Sequence, residues 1–247
     1  MLNYIAKRLL WMIPVVFGVI CIVFILSAIT PGDPVDAIVG FDAPPEVKEA
    51  MREQMGFNDP IYVQFFNYFK GIVTEGDLGT SYVSGEPVVK ELMRRFPTTL
   101  TLTIASVLVA IIVAIPLGLI SAVKRYSWID NASMAVALFG VSVPQFWFGL
   151  MSLLIFSVKL GWLPASGTSN FGGWVLPVAM IGIGNAGNFA RITRSSMLEV
   201  IRQDYVRTAR SKGQKEIVIT LKHCLRNALI PIVANIGNMI GISMGGA

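Results

Sequence analysis

The sequence is short of the residues that soluble chemistry relies on. It has 2 cysteines and 1 histidine in 247 residues, and only 14% of it is charged, against about 25% for an ordinary soluble domain. Cys21 lies inside an apolar run and Cys224 in a basic stretch, so there is no CxxC pair and no disulfide framework. The patterns G-x-x-x-x-G-K-[ST], G-x-S-x-G and H-E-x-x-H are all missing. The chain therefore has no phosphate loop of its own, no nucleophile elbow and no zincin helix. His223, between Lys222 and Cys224, reads as one residue of an amphipathic helix. Asp130 and Asp204 are too far apart in sequence to argue for a carboxylate pair. No catalytic residue and no metal ligand is expected, and an intramembrane enzyme is a weak reading.

Charge is also missing locally. None of the 35 charged residues falls in 9–32, 96–123, 131–158, 160–190 or 227–247. Each window can hold the roughly 20 apolar residues that a transmembrane helix needs. This excludes a soluble enzyme, a nucleic-acid-binding domain and a disordered tail. A β-barrel fails on pattern, because Ala105 to Ala114 is apolar nearly throughout and barrel strands alternate. The fold class expected is an all-α integral membrane protein, a polytopic helical bundle. Its spans are placed at 9–30, 97–123, 131–158, 171–190 and 227–247. The apolar run after Lys7 and Arg8 is too long for a cleaved signal and favours a signal anchor.

With the N-terminus inside, 13 of 20 Lys and Arg residues are cytoplasmic, as the positive-inside rule asks. The net charge of +5 then sets topology and needs no nucleic acid. Three regions follow: 1–30 with the first span, an extracytoplasmic segment 31–96, and a core 97–247 containing a cytoplasmic loop 191–226. In the outer segment, Pro31-Gly-Asp-Pro34 reads as a rigid turn, 46–55 and 61–73 as helices, and Pro87 as the start of a third helix. The aromatics Tyr62, Phe65, Phe66, Tyr68 and Phe69 make either a small core or a docking surface.

Gln145, Asn185, Asn188, Asn235 and Asn238 lie in or near spans. Such groups face protein or water rather than lipid. Both interhelical contacts and the lining of a translocation path stay open. In the loop, Leu198, Ile201, Tyr205 and Thr208 with Ala209 recur at helical spacing, and Lys212-Gly213 is a stop. Ile217, Leu221 and Leu225 form a second stripe. A basic amphipathic helix can lie on an anionic membrane or dock in a partner's groove.

Asp204-Tyr-Val-Arg-Thr-Ala-Arg-Ser-Lys-Gly213, followed by Leu221-Lys-His-Cys-Leu-Arg-Asn-Ala-Leu-Ile-Pro231, closely resembles the cytoplasmic signature of binding-protein-dependent ABC transporter permeases, in the dipeptide/oligopeptide/nickel branch. The general signature is Glu-Ala-Ala, three residues, then Gly. Here Arg207-Thr208-Ala209 and Gly213 hold those places, with Arg in place of Glu. Pro31-Gly-Asp-Pro34, Gly76-Asp-Leu-Gly-Thr-Ser81, Arg95-Phe-Pro-Thr-Thr-Leu100 and Ser142-Val-Pro-Gln-Phe146 extend the resemblance along the chain.

The resemblance implies a type I importer permease of a bacterial or archaeal cytoplasmic (inner) membrane, multi-pass, with a cytoplasmic N-terminus. It implies a second permease subunit, two cytoplasmic ATP-binding subunits and an extracytoplasmic solute-binding protein as partners. No cofactor is expected in this chain, with ATP held by the partners. The helix at 199–213 is expected to dock on an ATPase through Leu198, Ile201, Asp204, Tyr205, Arg207, Thr208 and Ala209, with Gly213 as its turn. A sixth span is expected to be missing through truncation at the C-terminus. Peptides are the expected cargo; nickel or another small solute, and a passive channel or scaffold, are the alternatives.

Overall fold

The computed structural model describes residues 2–168 and 170–246. Met1, Ser169 and Ala247 lie outside the described residues, and with them the outermost residues of the expected first region and fifth span. The described chain is helical, with a single antiparallel bridge, Thr80 to Pro87. It divides into two compact units, Met1–Arg95 and Phe96–Ala247.

In the first unit, α1 (Leu2–Ile29) is followed by three shorter helices, α2 (Pro34–Val39), α3 (Pro45–Gln54) and α4 (Ile61–Glu75). The Pro31-Gly-Asp-Pro34 segment does more than turn. Asp33 caps α2, accepting from the Val35 amide at 2.9 Å, and Pro34 takes the first helical position, where its missing N–H costs nothing. Arg52 of α3 bonds the same Asp33 carboxylate, and Lys48 pairs with Asp36 at 2.6 Å. The aromatic residues of α4 divide between a covered and an open face. Phe65 and Phe69 meet Phe17 and Phe24 of α1 edge-on, with centroids as close as 5.2 Å. Tyr62 and Phe66 stay exposed.

The helix opened by Pro87 does not stop before the second span. It continues into it as α5 (Val88–Val123), 36 residues long. α6 (Trp128–Ser142) and α7 (Gln145–Ser152) are joined through Val143 and Pro144, and α7 runs on as a π-helical stretch, 153–159. α8 (Phe171–Ile201) is the centre of the second unit, against which α6, α7 and α11 pack. α9 (Asp204–Ser211), α10 (Glu216–Val218), a π-helical stretch over 219–225 and α11 (Arg226–Gly246) complete the chain.

Small residues let these helices approach. A Cβ on Gly187 of α8 would stand 2.1 Å from the Ala137 carbonyl of α6, and one on Gly118 of α5 would stand 2.6 Å from the Ala190 carbonyl of α8. The buried seam of α5 is Thr103, Ser106, Val107, Ala110, Ala114, Gly118, Ser121 and Ala122. It recurs every three or four residues, as one helix face must. Close packing of this kind replaces the hydrophobic drive that is absent between helices in lipid.

Five spans were expected, and the observed helices modify that count. α1, α5 and the run from Glu216 to Gly245 are each long and apolar enough to cross a bilayer. The expected span 131–158 is instead two helices bent by 92°. Pro144 lacks an N–H and holds Val143 extended at φ −77°, ψ 125°. The expected span 171–190 is part of α8, which does not reach the apolarity of the other three. Its glycines, its asparagines and the charged residues from Arg191 onward dilute it. The last span begins eleven residues before the expected Asn227, because α10 and the π-helical stretch run straight into α11.

Candidate functional site

The loop 191–226 does not form one helix over 199–213. α8 ends at Ile201, Gln203 is extended at ψ 148°, and α9 restarts at Asp204. Leu198 and Ile201 therefore belong to α8, where they pack against the buried core. Tyr205 and Thr208 belong to α9, so the expected stripe is broken in two.

α9 is a short helix with two distinct faces. Val206 is fully buried and Ala209 nearly so, both inside this chain's own core. Asp204, Tyr205, Arg207 and Thr208 are exposed. The expectation that Ala209 meets an outside partner is thereby corrected, because the helix has turned its smallest residue inward. Thr208 gives its hydroxyl to the Asp204 carbonyl at 3.0 Å, whereas the ring of Tyr205 remains 42% exposed beside Asn227.

Two ties close the turn after α9. Gly213 adopts φ 71°, a left-handed conformation that glycine reaches without steric cost. Across it, Arg210 grips Glu216 with two nitrogens, at 2.7 and 3.3 Å. Gln214 bonds His223 at 2.8 Å. His223 thus holds the hairpin to the π-helical stretch, a role consistent with its reading as a helix residue. α9 is thus presented on a hydrogen-bonded hairpin.

Sequence reasoning missed the most heavily bonded polar group of the second unit. The Asp130 side chain is only 3% exposed. Arg194 of α8 donates to it twice, Nε to Oδ1 at 2.8 Å and Nη2 to Oδ2 at 2.7 Å. The Ser121 hydroxyl of α5 donates to Oδ1, and the Tyr126 amide to Oδ2 at 2.9 Å. Tyr126 itself sits at φ 61°, the one non-glycine residue with a positive φ among the described residues. Ser127 caps α6 by accepting from the Asp130 amide at 3.3 Å, an ordinary N-cap bond. One carboxylate thereby joins α5, the 124–127 turn, α6 and α8.

The polar residues of the spans divide. Gln145 opens α7, exposed, with its amide lying against Gly184 of α8. Asn185 and Asn235 each donate to a carbonyl four residues earlier on their own helix, Ile181 at 2.9 Å and Pro231 at 3.2 Å. For these two, the side-chain amide is thus bonded within its own helix. Asn188 accepts from Arg191 and is exposed, as is Asn238. Gln145, Asn185 and Asn188 are brought to neighbouring levels of α7 and α8. Among the described residues no hydrogen bond joins them to the two asparagines of α11. Nor do those residues contain any group of three or more His, Cys, Asp or Glu able to hold a metal ion.

Residues 114–247 match the family described as binding-protein-dependent transport system inner membrane component, and residues 1–103 match its N-terminal companion family. The chain is 44% identical over all 247 residues to the glutathione transport system permease protein GsiC of Escherichia coli O6:H1, covering 80% of that protein. The GsiC protein of Escherichia coli strain K12 gives the same identity and coverage. That of Shigella boydii serotype 4 is 43% identical, again over 80% of its length.

Proposed function

We propose that this chain, which belongs to the binding-protein-dependent transport system inner membrane components and is therefore a multi-pass permease subunit of an ABC importer, forms with a second permease the path by which short peptides are imported. Glutathione, named in its relatives, is a tripeptide and the first cargo to try. A solute-binding protein delivers the cargo on the outer side, and two ATP-binding subunits act beneath. The N-terminus is cytoplasmic in this reading.

The carrying observation is the two-faced α9. A helix that buries Val206 and Ala209 in its own chain and leaves Asp204, Tyr205 and Arg207 outward is built to be pushed without unfolding. The exposed Tyr205 supplies the large apolar contact typical of an interface anchor. The neighbouring charges supply orientation more than affinity. Docking thus falls to Tyr205, Asp204, Arg207 and Thr208, with Ala209, Leu198 and Ile201 holding the helix from behind and Gly213 making the turn. The exposed Gln145 and Asn188 are the first candidates for the path, ahead of the self-bonded Asn185 and Asn235; Asn238 takes its place only if its face of α11 turns inward in the assembly.

The test is purification from the native membrane in gentle detergent, followed by identification of bound subunits. An ATP-binding subunit and a second permease that co-purify with the wild type, and an ATP-binding subunit that is lost from Tyr205→Ala combined with Arg207→Glu, are the expected result. A chain that purifies alone from the membrane overturns the reading.

A further inference from the structure

We propose that the Asp130–Arg194 pair is the positioning tie that makes α5, α6 and α8 move as one body when α9 is displaced. The proposal rests on the importer reading above and deepens it.

Small residues bring α8 against α5 and α6: Gly182 on Ser106 and Val109, Gly187 on Ala137, Gly140 on Ile183, and Gly118 on Ala190 and Thr193. All are van der Waals contacts between small groups, and these resist separation but not sliding. The contact between Asp130 and Arg194 is of another kind. The Arg194 fork on Asp130 is planar, bidentate and directional, and the same carboxylate also receives Ser121 and Tyr126. A rotation or slide of α8 breaks both Arg194 bonds together, while Ser121 and Tyr126 keep the carboxylate in place on the α5–α6 side.

Its place in the chain is what a transmission element needs. Arg194 lies seven residues before Ile201, where α8 ends, about 10 Å at 1.5 Å per residue. The break at Arg202 and Gln203 and the docking helix α9 come immediately after. Motion entering through α9 therefore reaches α8 just below the fork. Without the fork, α8 alone would follow. With it, the 124–127 turn and the cytoplasmic ends of α5 and α6 are drawn along. Burying such a pair is weak as a source of stability, since hydrophobic replacement is often as good. The pair therefore matters for where it holds α8, more than for how tightly.

The test uses the whole importer, purified from its native membrane and reconstituted in liposomes, with radiolabelled glutathione and radiolabelled alanyl-alanine as probes. The readout is probe imported per ATP hydrolysed. Arg194→Lys keeps the charge and loses the fork. We expect it to assemble, to go on hydrolysing ATP, and to import at least fivefold less per ATP. Asp130→Asn combined with Arg194→Gln should be no worse than Asp130→Asn alone, because the tie is already gone. Cysteines at both positions, in a chain with Cys21 and Cys224 replaced by serine, supply the control for folding. A short bifunctional thiol cross-linker should restore the ratio toward the wild-type value. An unchanged ratio in Arg194→Lys, or no recovery on cross-linking, overturns the tie and leaves the importer reading standing. A wild-type complex that imports neither probe overturns the peptide-importer reading, and the tie with it.

Discussion

Gly187→Ala tests whether α6 and α8 touch as described. The added Cβ would stand 2.1 Å from the Ala137 carbonyl oxygen and 2.7 Å from Val141 Cγ2. Ordinary contact asks for about 1 Å more than the carbonyl allows. That oxygen is backbone, so no rotamer change relieves it, and α6 must move as a whole. Overpacking costs about 1–3 kcal/mol, and a backbone obstacle on a helix tied at Asp130 places this case near the top. Alanine recovers about 1 kcal/mol of helix propensity over glycine, leaving a net loss of about 2 kcal/mol. A melting midpoint falls by about 2–4 °C per kcal/mol for a chain of this size. The subunit alone, melted in detergent, should therefore lose about 4–8 °C. Gly241→Ala in α11 is the control, since nothing lies within 4 Å of its added Cβ. It should melt at or slightly above the wild type. A Gly187→Ala subunit as stable as the wild type would refute the close approach.

Three further comparisons separate roles that sequence alone leaves mixed. Tyr205→Ala should leave the melting midpoint of the isolated subunit within about 2 °C while weakening capture of the ATP-binding subunit, whereas Val206→Asp should destabilise the subunit itself; equal melting of the two would remove the two-faced description of α9. Gly213→Val should cost about 1–2 kcal/mol from its left-handed backbone and speed tryptic cleavage at Lys212 and Lys215, while Gly213→Asn should cleave like the wild type; equal rates for the two variants would show that the turn is not strained. In the outer segment, the Arg52 guanidinium, and then the Val35 amide, hold the Asp33 carboxyl below the usual carboxylate range. A depressed folded value means its stabilisation is complete above the unfolded value of about 4 and is lost as pH falls through the folded one. The melting gap between wild type and Asp33→Asn should therefore be open at pH 7 and narrow as the pH falls below about 4; a gap independent of pH would refute the pairing.

What was legible in the sequence was what lipid imposes on a chain. Charge-free windows locate α1, α5 and α11 because a bilayer penalises every ion placed within it. Glycine and proline placed the starts of α3 and α4 and the turn at Gly213, because their backbone constraints act locally. The signature at 204–213 falls on α9 and the turn that follows it. The failures concern how neighbouring elements meet. Helical spacing joined Leu198 and Ile201 to Tyr205, since periodicity continues across a break when both sides are helical. Ala209 was assigned outward because an amphipathic stripe shows that one face is covered without showing by what. The span placed at 131–158 was expected to run through Pro144, and instead the chain turns there by 92°.

The Asp130–Arg194 tie shows how a signal can be present and go unread. Asp130 is the only acidic residue between Glu91 and Glu199, so in a membrane it is half of a pair awaiting its partner. Two arginines on α8 compete for it. Ala186, Ala190, Thr193 and Met197 mark one face of that helix at three- and four-residue steps, and all are buried. Arg194 falls beside that face, four residues after Ala190. Arg191 falls with Asn188 and Ser195 on the exposed side, where it is bonded to Asn188. The same small-residue seam that brings α5 and α6 up to α8 thus selects which arginine reaches the carboxylate. Arg191→Gln should accordingly leave the midpoint of the isolated subunit within about 1 °C, whereas Arg194→Gln, which strands a buried carboxylate, should cost about 3–5 kcal/mol. Equal effects of the two would mean that the seam does not decide the pairing.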